Sequence, residues 1–345
     1  MSKKVSTVIQ TNNLHPKQLK VFFTMITLYT FYFAANYNLG PATKFIQDAY
    51  DISNQEFGLL FTIFSLGFGL GQFAAGFLGD RYNPKHLMLI GAIGATVANF
   101  CFSLSSSMTA FAFFWGLNAV SLAMGWSPGC SILFRWIPRK RWGLFMGFFD
   151  AFAFLGGVIV YPIAGLSITY FGWRSAFIIP PILLGLWTII FAIVVKSSPE
   201  HAGLTVEWKE PEDDASRVTL RDYGMVLKNP VINMICGVSL ILVFIVGNSI
   251  LQFKSGIFIL TLLLFLAGGC IQGVQAPIFN LPGDILGSRL GGTGVGVVNG
   301  WSYIGASFAG GTLGLLMDSS GLTSGLLLMA GVSLLGALII LKVSR

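Results

Sequence analysis

Charge is what this sequence lacks most. Only 10% of its 345 residues are Asp, Glu, Lys or Arg, while 54% are hydrophobic. An ordinary soluble domain carries about 25% charged residues, so the scarcity excludes a water-facing globular surface. Cysteine is scarce as well. Cys101, Cys130, Cys236 and Cys270 all fall inside apolar stretches, with neither a disulfide framework nor zinc-site spacing. The three histidines, His15, His86 and His201, sit in or beside polar segments, which argues against an intramembrane histidine relay. No G-x-x-x-x-G-K-[ST] phosphate loop occurs, and no cluster of His, Glu, Ser or Cys suggests catalysis. The expectation is a protein that is not an enzyme, with no cofactor and no metal site.

What is present is a series of long uncharged runs. They are Val21–Thr43, Phe57–Gly79, two within His86–Phe134 turning near residues 103–107, Trp142–Trp173 (interrupted by Asp150) and Ser175–Val195. After a polar stretch come Asn229–Phe253, Ser255–Gly283, Leu290–Met317 and Ser319–Leu341. A spanning helix needs about 20 apolar residues, and in lipid such runs must be helical, because no water satisfies the backbone. The fold class expected is all-α: a polytopic membrane protein of two helical bundles, with six plus four spans. Residues 1–195 form the N-terminal six-helix bundle, 196–228 a cytoplasmic central loop that tethers the halves, and 229–345 a shortened bundle of about four helices. The first 20 residues are too polar for a cleaved signal peptide.

The placement of charge gives an orientation. With the first residue in the cytoplasm and the spans alternating, only Lys44, Arg174 and Lys254 of the 21 basic residues fall outside. This inside bias predicts both termini cytoplasmic. It also accounts for the net charge of +7 without nucleic acid, leaving the lipid bilayer as the expected partner.

An internal repeat adds to the picture. Gly143, Gly147, Asp150, Gly156, Gly165 and Gly172 recur 149 residues later as Gly292, Gly296, Asn299, Gly305, Gly314 and Gly321, and Pro128 recurs as Pro277. A duplicated helix pair is how many transporter folds are built. The first spans of the two halves are offset by about 210 residues by the same hydropathy reading, so the second half is about 60 residues short, or two helices. The join falls within 241–260.

Polar groups inside the runs are the candidate functional residues. Asp150 lies about 12 Å along its span, at 1.5 Å per residue. A carboxylate at that depth is paired, protonated or in a wet cavity. Two readings stay open: a helix latch to Arg81 or Arg135, or a coupling group. Asn36, Tyr37 and Asn38 in the first span, Trp126 before Pro128, Gln275 beside Pro277, and Asn299 either touch a substrate or hold helices together. Trp136, Trp142 and Trp173, near span ends, are expected at the membrane interface.

The loop "GFLGDRYNPKHLMLIG" (76–91), with Gly76, Asp80, Arg81 and Lys85, resembles the cytoplasmic loop signature of the major facilitator superfamily. Gly76 permits close helix approach. Asp80 suits a cationic partner or the N-terminus of a neighbouring helix, as a conformational latch. "MGWSPGCSILFRWIPRKRWG" (124–143), "SSPEHAGLTVEW" (197–208) and "GTGVGVVNGWSYIGASFAGG" (292–311) are similar to the organophosphate:phosphate antiporters and the related anion:cation symporters. The resemblance implies a major facilitator fold in the inner cell membrane whose bundles rock about a midplane site. It implies secondary active transport of a small organic anion (sugar phosphate, glycerol phosphate or carboxylate), coupled to H+, Na+ or a counter-substrate. A transporter-like sensor of such a solute and a non-transporting remnant are the alternatives. In the antiporters, arginines of the first and seventh spans and a fifth-span histidine hold the phosphate. Here Asn36 stands at the place of the first-span arginine, Ile245–Val246 at that of the seventh-span arginine, and Phe152 at that of the histidine.

Overall fold

The computed structural model describes residues 8–9, 14–207 and 279–307. Its helices are α1 (Pro16–Tyr37), α2 (Leu39–Tyr50), α3 (Asn54–Arg81), α4 (Pro84–Leu104), α5 (Met108–Trp136), α6 (Trp142–Phe171) and α7 (Ile179–Val194). Residues 279–307 are helical too. A pair of two-residue strands, β1 (Val8–Ile9) and β2 (Thr205–Val206), run parallel and tie the start of the chain to the segment after α7. Among the described residues, five helical stretches are long and apolar enough to cross a membrane, and they match expected spans two to six.

Local chemistry sets the boundaries. The turn expected at 103–107 is made by serines: α4 ends on Ser105, and the Ser107 side chain caps α5 by accepting from the Ala110 N–H. Asn83 caps α4 in the same way, and Ser53 and Glu56 form a capping box on α3. The first span differs from expectation. It breaks at Asn38, and the helix resumes to Tyr50, past the expected end at Thr43. Pro41 explains the break, since it has no N–H and its ring clashes with the carbonyl four residues back, at Tyr37.

Side chains point the opposite way from those of a soluble protein. Leu70, Phe113, Val158 and Ile193 are each more than 60% exposed, an apolar coat suited to lipid. In the interior α1 packs on α6 and α7, α3 on α5, and α4 on α5 and α7. With lipid outside, packing and interhelical hydrogen bonds drive these contacts. At Gly156 the α6 backbone lies on the Thr30 carbonyl of α1, leaving no room for a side chain. Three asparagines bridge four elements. The Asn38 amide donates to the Asn99 carbonyl oxygen (2.8 Å) and to the Ala176 carbonyl (3.0 Å). Asn99 donates to Asn118 (3.0 Å), and both also donate to the Ala35 carbonyl.

One end of the bundle collects basic residues and is firmly tied. The Lys85 ammonium donates to the Ala192 carbonyl (2.5 Å), closing the last turn of α7. Gln18 donates to the Trp136 carbonyl (2.6 Å), and the Trp136 indole donates to the Lys196 carbonyl (2.8 Å). Trp136 and Trp142 are therefore buried, at 2% and 4% exposure, and not interfacial anchors as expected. Each indole N–H finds a backbone acceptor, Lys196 for Trp136 and Ile137 for Trp142, which removes the cost of burying it.

Residues 279–307 form a helical hairpin. Gly287 has φ +72°, a left-handed value open to glycine, and the chain doubles back there. A side-chain carbon built on Gly294 would meet Pro282 and Leu286, and one on Gly291 would meet Gly283. This turn lies between the spans expected at 255–283 and 290–317.

Candidate functional site

The second arm of the hairpin crosses α3 at backbone distance. A side-chain carbon on Gly76 would fall 2.8 Å from the Gly292 carbonyl and 3.0 Å from the Gly296 Cα, and one on Gly69 would fall 3.0 Å from the Gly300 carbonyl. Such an approach needs glycine on both helices. At the basic end of this seam Asp80 accepts from the Ser131 hydroxyl (2.7 Å), the Thr293 hydroxyl (2.7 Å) and the Thr293 N–H. A carboxylate thus sits at the start of the second arm, where unpaired N–H groups favour an anion. Arg135 is in the last turn of α5, four residues after Ser131. Arg81, by contrast, lies against the Phe77 and Tyr82 rings. Arg139 pairs with Asp284 of the hairpin (3.3 Å) at an exposed position.

A line of buried polar side chains leads from Asp80 towards the middle. The Ser131 oxygen also lies 3.1 Å from the Ser127 carbonyl, and the Ser127 hydroxyl donates to Gln72 (2.5 Å). The other end of that amide, Gln72 Nε2, is buried without a partner.

Beyond it lies an aromatic wall. Trp126 stacks on Phe149 at 5.0 Å and 7°, Tyr29 packs 4.7 Å from Phe149, and Phe279 of the hairpin meets Trp126 edge-on at 5.2 Å. Trp126 Nε1 is buried and unpartnered. Asp150, 7% exposed, comes next in α6. No ion pair reaches it among the described residues.

The structure brings Tyr37 and Trp126 to the same helix as Asp150: the Tyr37 ring lies over Gly157 of α6, and Trp126 stacks on Phe149, the residue before Asp150. Asn36 is half-buried, Asn299 is buried on the second arm, and Asn38 is committed through its amide to Asn99 while its Oδ1 stays unpartnered. Gln275 and the expected join at 241–260 lie outside the described residues. Phe152 is half-buried, and its carbonyl accepts from Thr30 (2.9 Å). Sequence reasoning passed over Tyr29, Tyr303 and Gln72. Spacing carried a signal for the first two: Tyr29, Phe33 and Tyr37 follow each other at four-residue steps on one helix face, and Tyr303 stands four residues after Asn299. Gln72 had the signal of any amide in an apolar run.

The repeat is packed unequally. Gly292 and Gly296 are pressed against α3, whereas Gly143 has only the Asn280 amide nearby (3.8 Å) and Gly147 has nothing within 4 Å.

Comparison with known proteins agrees with this architecture. The sequence profile of the Major Facilitator Superfamily matches residues 25–253. A "Probable hexose phosphate transport protein" of Chlamydia trachomatis is 26% identical over 199 residues, covering 57% of this chain and 44% of that protein. The "Membrane sensor protein UhpC" of Escherichia coli is 29% identical over 177 residues, covering 50% and 39%. The chain thus spans less than half the length of either relative. Among solved structures, a proton:xylose symporter of the same superfamily superposes with a TM-score of 0.71 at 11% identity, over 94% of this chain and 95% of the other. At that identity the likeness is one of fold.

Proposed function

The chain belongs to the Major Facilitator Superfamily, and from that premise we propose that it is a secondary active transporter of a small organic anion, working by alternating access. It is a multi-pass membrane protein and not an enzyme. The seam between α3 and the second arm carries the reading: two helices from opposite ends of the chain meet without side chains between them, and one buried carboxylate holds the crossing. Such a seam parts and re-forms as a unit. The basic end is the cytoplasmic one in this reading, in the inner cell membrane, with both termini on that side. The two bundles are 1–195 and 229–345, joined by 196–228.

The solute sits in the central region, against Asn36, Tyr37, Asn38, Trp126 and Asn299. Gly76, Asp80, Arg81 and Lys85 form the loop that closes the basic end. Asp150 is the coupling group. An anion entering beside a buried carboxylate is repelled unless a positive charge arrives with it, brought by a proton, by Na+ or by the solute itself. Exchange against a counter-substrate is the other route.

Uptake of labelled glycerol 3-phosphate and hexuronates into proteoliposomes tests the reading. Saturable uptake is expected, and Asp150→Asn should reduce it about tenfold or more. Normal, still ion-dependent uptake by that variant removes the coupling role. Binding without flux favours the second reading, a sensor, which the relative named as a membrane sensor protein makes specific.

A further inference from the structure

The segment after α7 does not leave the bundle. Val195, Ser197, Ser198 and Leu204 are buried, and Ala202 and Val206 pack against the core. Between them the chain makes a tight turn at Glu200–Ala202 and reverses at Gly203, whose φ of +72° suits glycine. The Leu204 N–H donates back to the Pro199 carbonyl (3.0 Å). Residues 195–206 are thus a folded strap, and β1 pairs with its last two residues, Thr205 and Val206.

Trp136 holds this strap to the helices. Its indole donates to the Lys196 carbonyl (2.8 Å), and its own carbonyl accepts from the Gln18 amide (2.6 Å). The Gln18 carbonyl oxygen accepts in turn from the His15 N–H (2.8 Å) at the start of α1. Strap, end of α5 and start of α1 therefore form one chain of hydrogen bonds, with buried Trp136 in its middle. The same part of α5, with the turn after it, carries contacts to the hairpin. Ser131 and Thr293 both donate to Asp80, the Phe134 ring lies against Gly283 and Gly291, and Arg139 pairs with Asp284. Trp136 stands among these residues in sequence.

We propose that the strap is a lock on the seam. Docked through Trp136, it holds the end of α5 where the hairpin meets it, and its release loosens the seam. β1 makes the beginning of the chain a handle on this lock. The tether between the halves then begins after Val206 and not at Lys196. The lock is independent of the solute, so its failure would leave the transport reading standing.

Limited trypsin digestion of the full chain in detergent, with fragments identified by mass spectrometry, reads the strap. The Lys196 side chain is exposed, but its carbonyl is bonded and Ser197 is buried, and a protease cuts such a segment only when it opens. Cleavage after Lys196 should be slow in the wild type. It should be about tenfold faster in Trp136→Phe, which keeps an aromatic ring and leaves the Lys196 carbonyl without its donor. Val8→Pro combined with Ile9→Pro, which removes the β1 N–H groups, should speed it as well. Trp142→Phe loses a comparable bond, to the Ile137 carbonyl, and should leave Lys196 protected. The rate at which Cys130, buried on α5, reacts with a membrane-permeant thiol reagent reads the seam, and it should rise about threefold or more in Trp136→Phe. Rapid cleavage after Lys196 in the wild type, or equal protection in wild type and Trp136→Phe, overturns the docked strap. Faster cleavage with an unchanged Cys130 rate overturns the lock. No change in the β1 variant removes the handle.

Discussion

Two acidic residues reach the seam between α3 and the hairpin, and burial makes them unequal. Asp80 accepts three hydrogen bonds in a dry setting, and bonds to a charged group contribute about 1.5–3 kcal/mol each. Arg139 and Asp284 are 53% and 40% exposed, and an exposed pair contributes about 0–1 kcal/mol. Asp80→Ala should therefore loosen the seam. Cys130, buried on α5 next to this region, should then react about tenfold faster with a membrane-permeant thiol reagent, as read by peptide mass spectrometry. Arg139→Ala should change that rate less than about threefold. The role of Asp80 was partly legible in the sequence, because an acid after a glycine at a span end admits few uses. Its acceptance from Thr293 was not, since nothing local links residues 80 and 293. The asparagines followed the same rule: Asn38 stood out as polar in a span, but its partner Asn99, and Asn118 beyond it, were hidden in a charge-free run.

Among elements, α1 and α6 are joined where backbone meets backbone. Gly156→Ala would drive a methyl group into the Thr30 carbonyl and the Phe33 side chain, so a loss of about 1–3 kcal/mol is expected from overpacking. Gly147→Ala, on the same helix with nothing within 4 Å, should be neutral. Thermal unfolding in detergent, compared between the two variants, checks this. Expected spans two to six were readable because charge is absent for 20 or more residues at a time, and the serines at 103–107 marked the one turn that charge did not. Periodicity says nothing about which tryptophans find a backbone acceptor, so Trp136 and Trp142 looked interfacial and proved to be inside. The break at Asn38 was legible in principle, since Pro41 was in view, but an uncharged run reads the same whether or not it bends.

For the whole molecule, the repeat at 149 residues led to the expectation of two bundles, but sequence symmetry did not announce unequal packing of its two copies. The second copy is the one that closes on α3. Gly296→Leu should accordingly block closure, because its first carbon already falls 2.5 Å from the Gln72 carbonyl and 2.9 Å from the Gly76 Cα. Solute uptake should fall by about tenfold or more, with residues 14–207 retaining their own packing and the Cys130 reaction accelerating as it does in Asp80→Ala. Unchanged uptake would show that the seam does not move with the solute.

The hairpin turn at Gly287 has a neighbour that extends this into spectroscopy. The Phe134 ring, fixed on α5, is wedged between Gly283 of one arm and Gly291 of the other, with the Trp142 ring 4.6 Å away. When the hairpin leaves α5, that one ring exchanges a glycine slot for a different magnetic environment. A single fluorinated phenylalanine at position 134 thus becomes an internal gauge, its resonance splitting into closed and open populations whose ratio can be counted as solute is added.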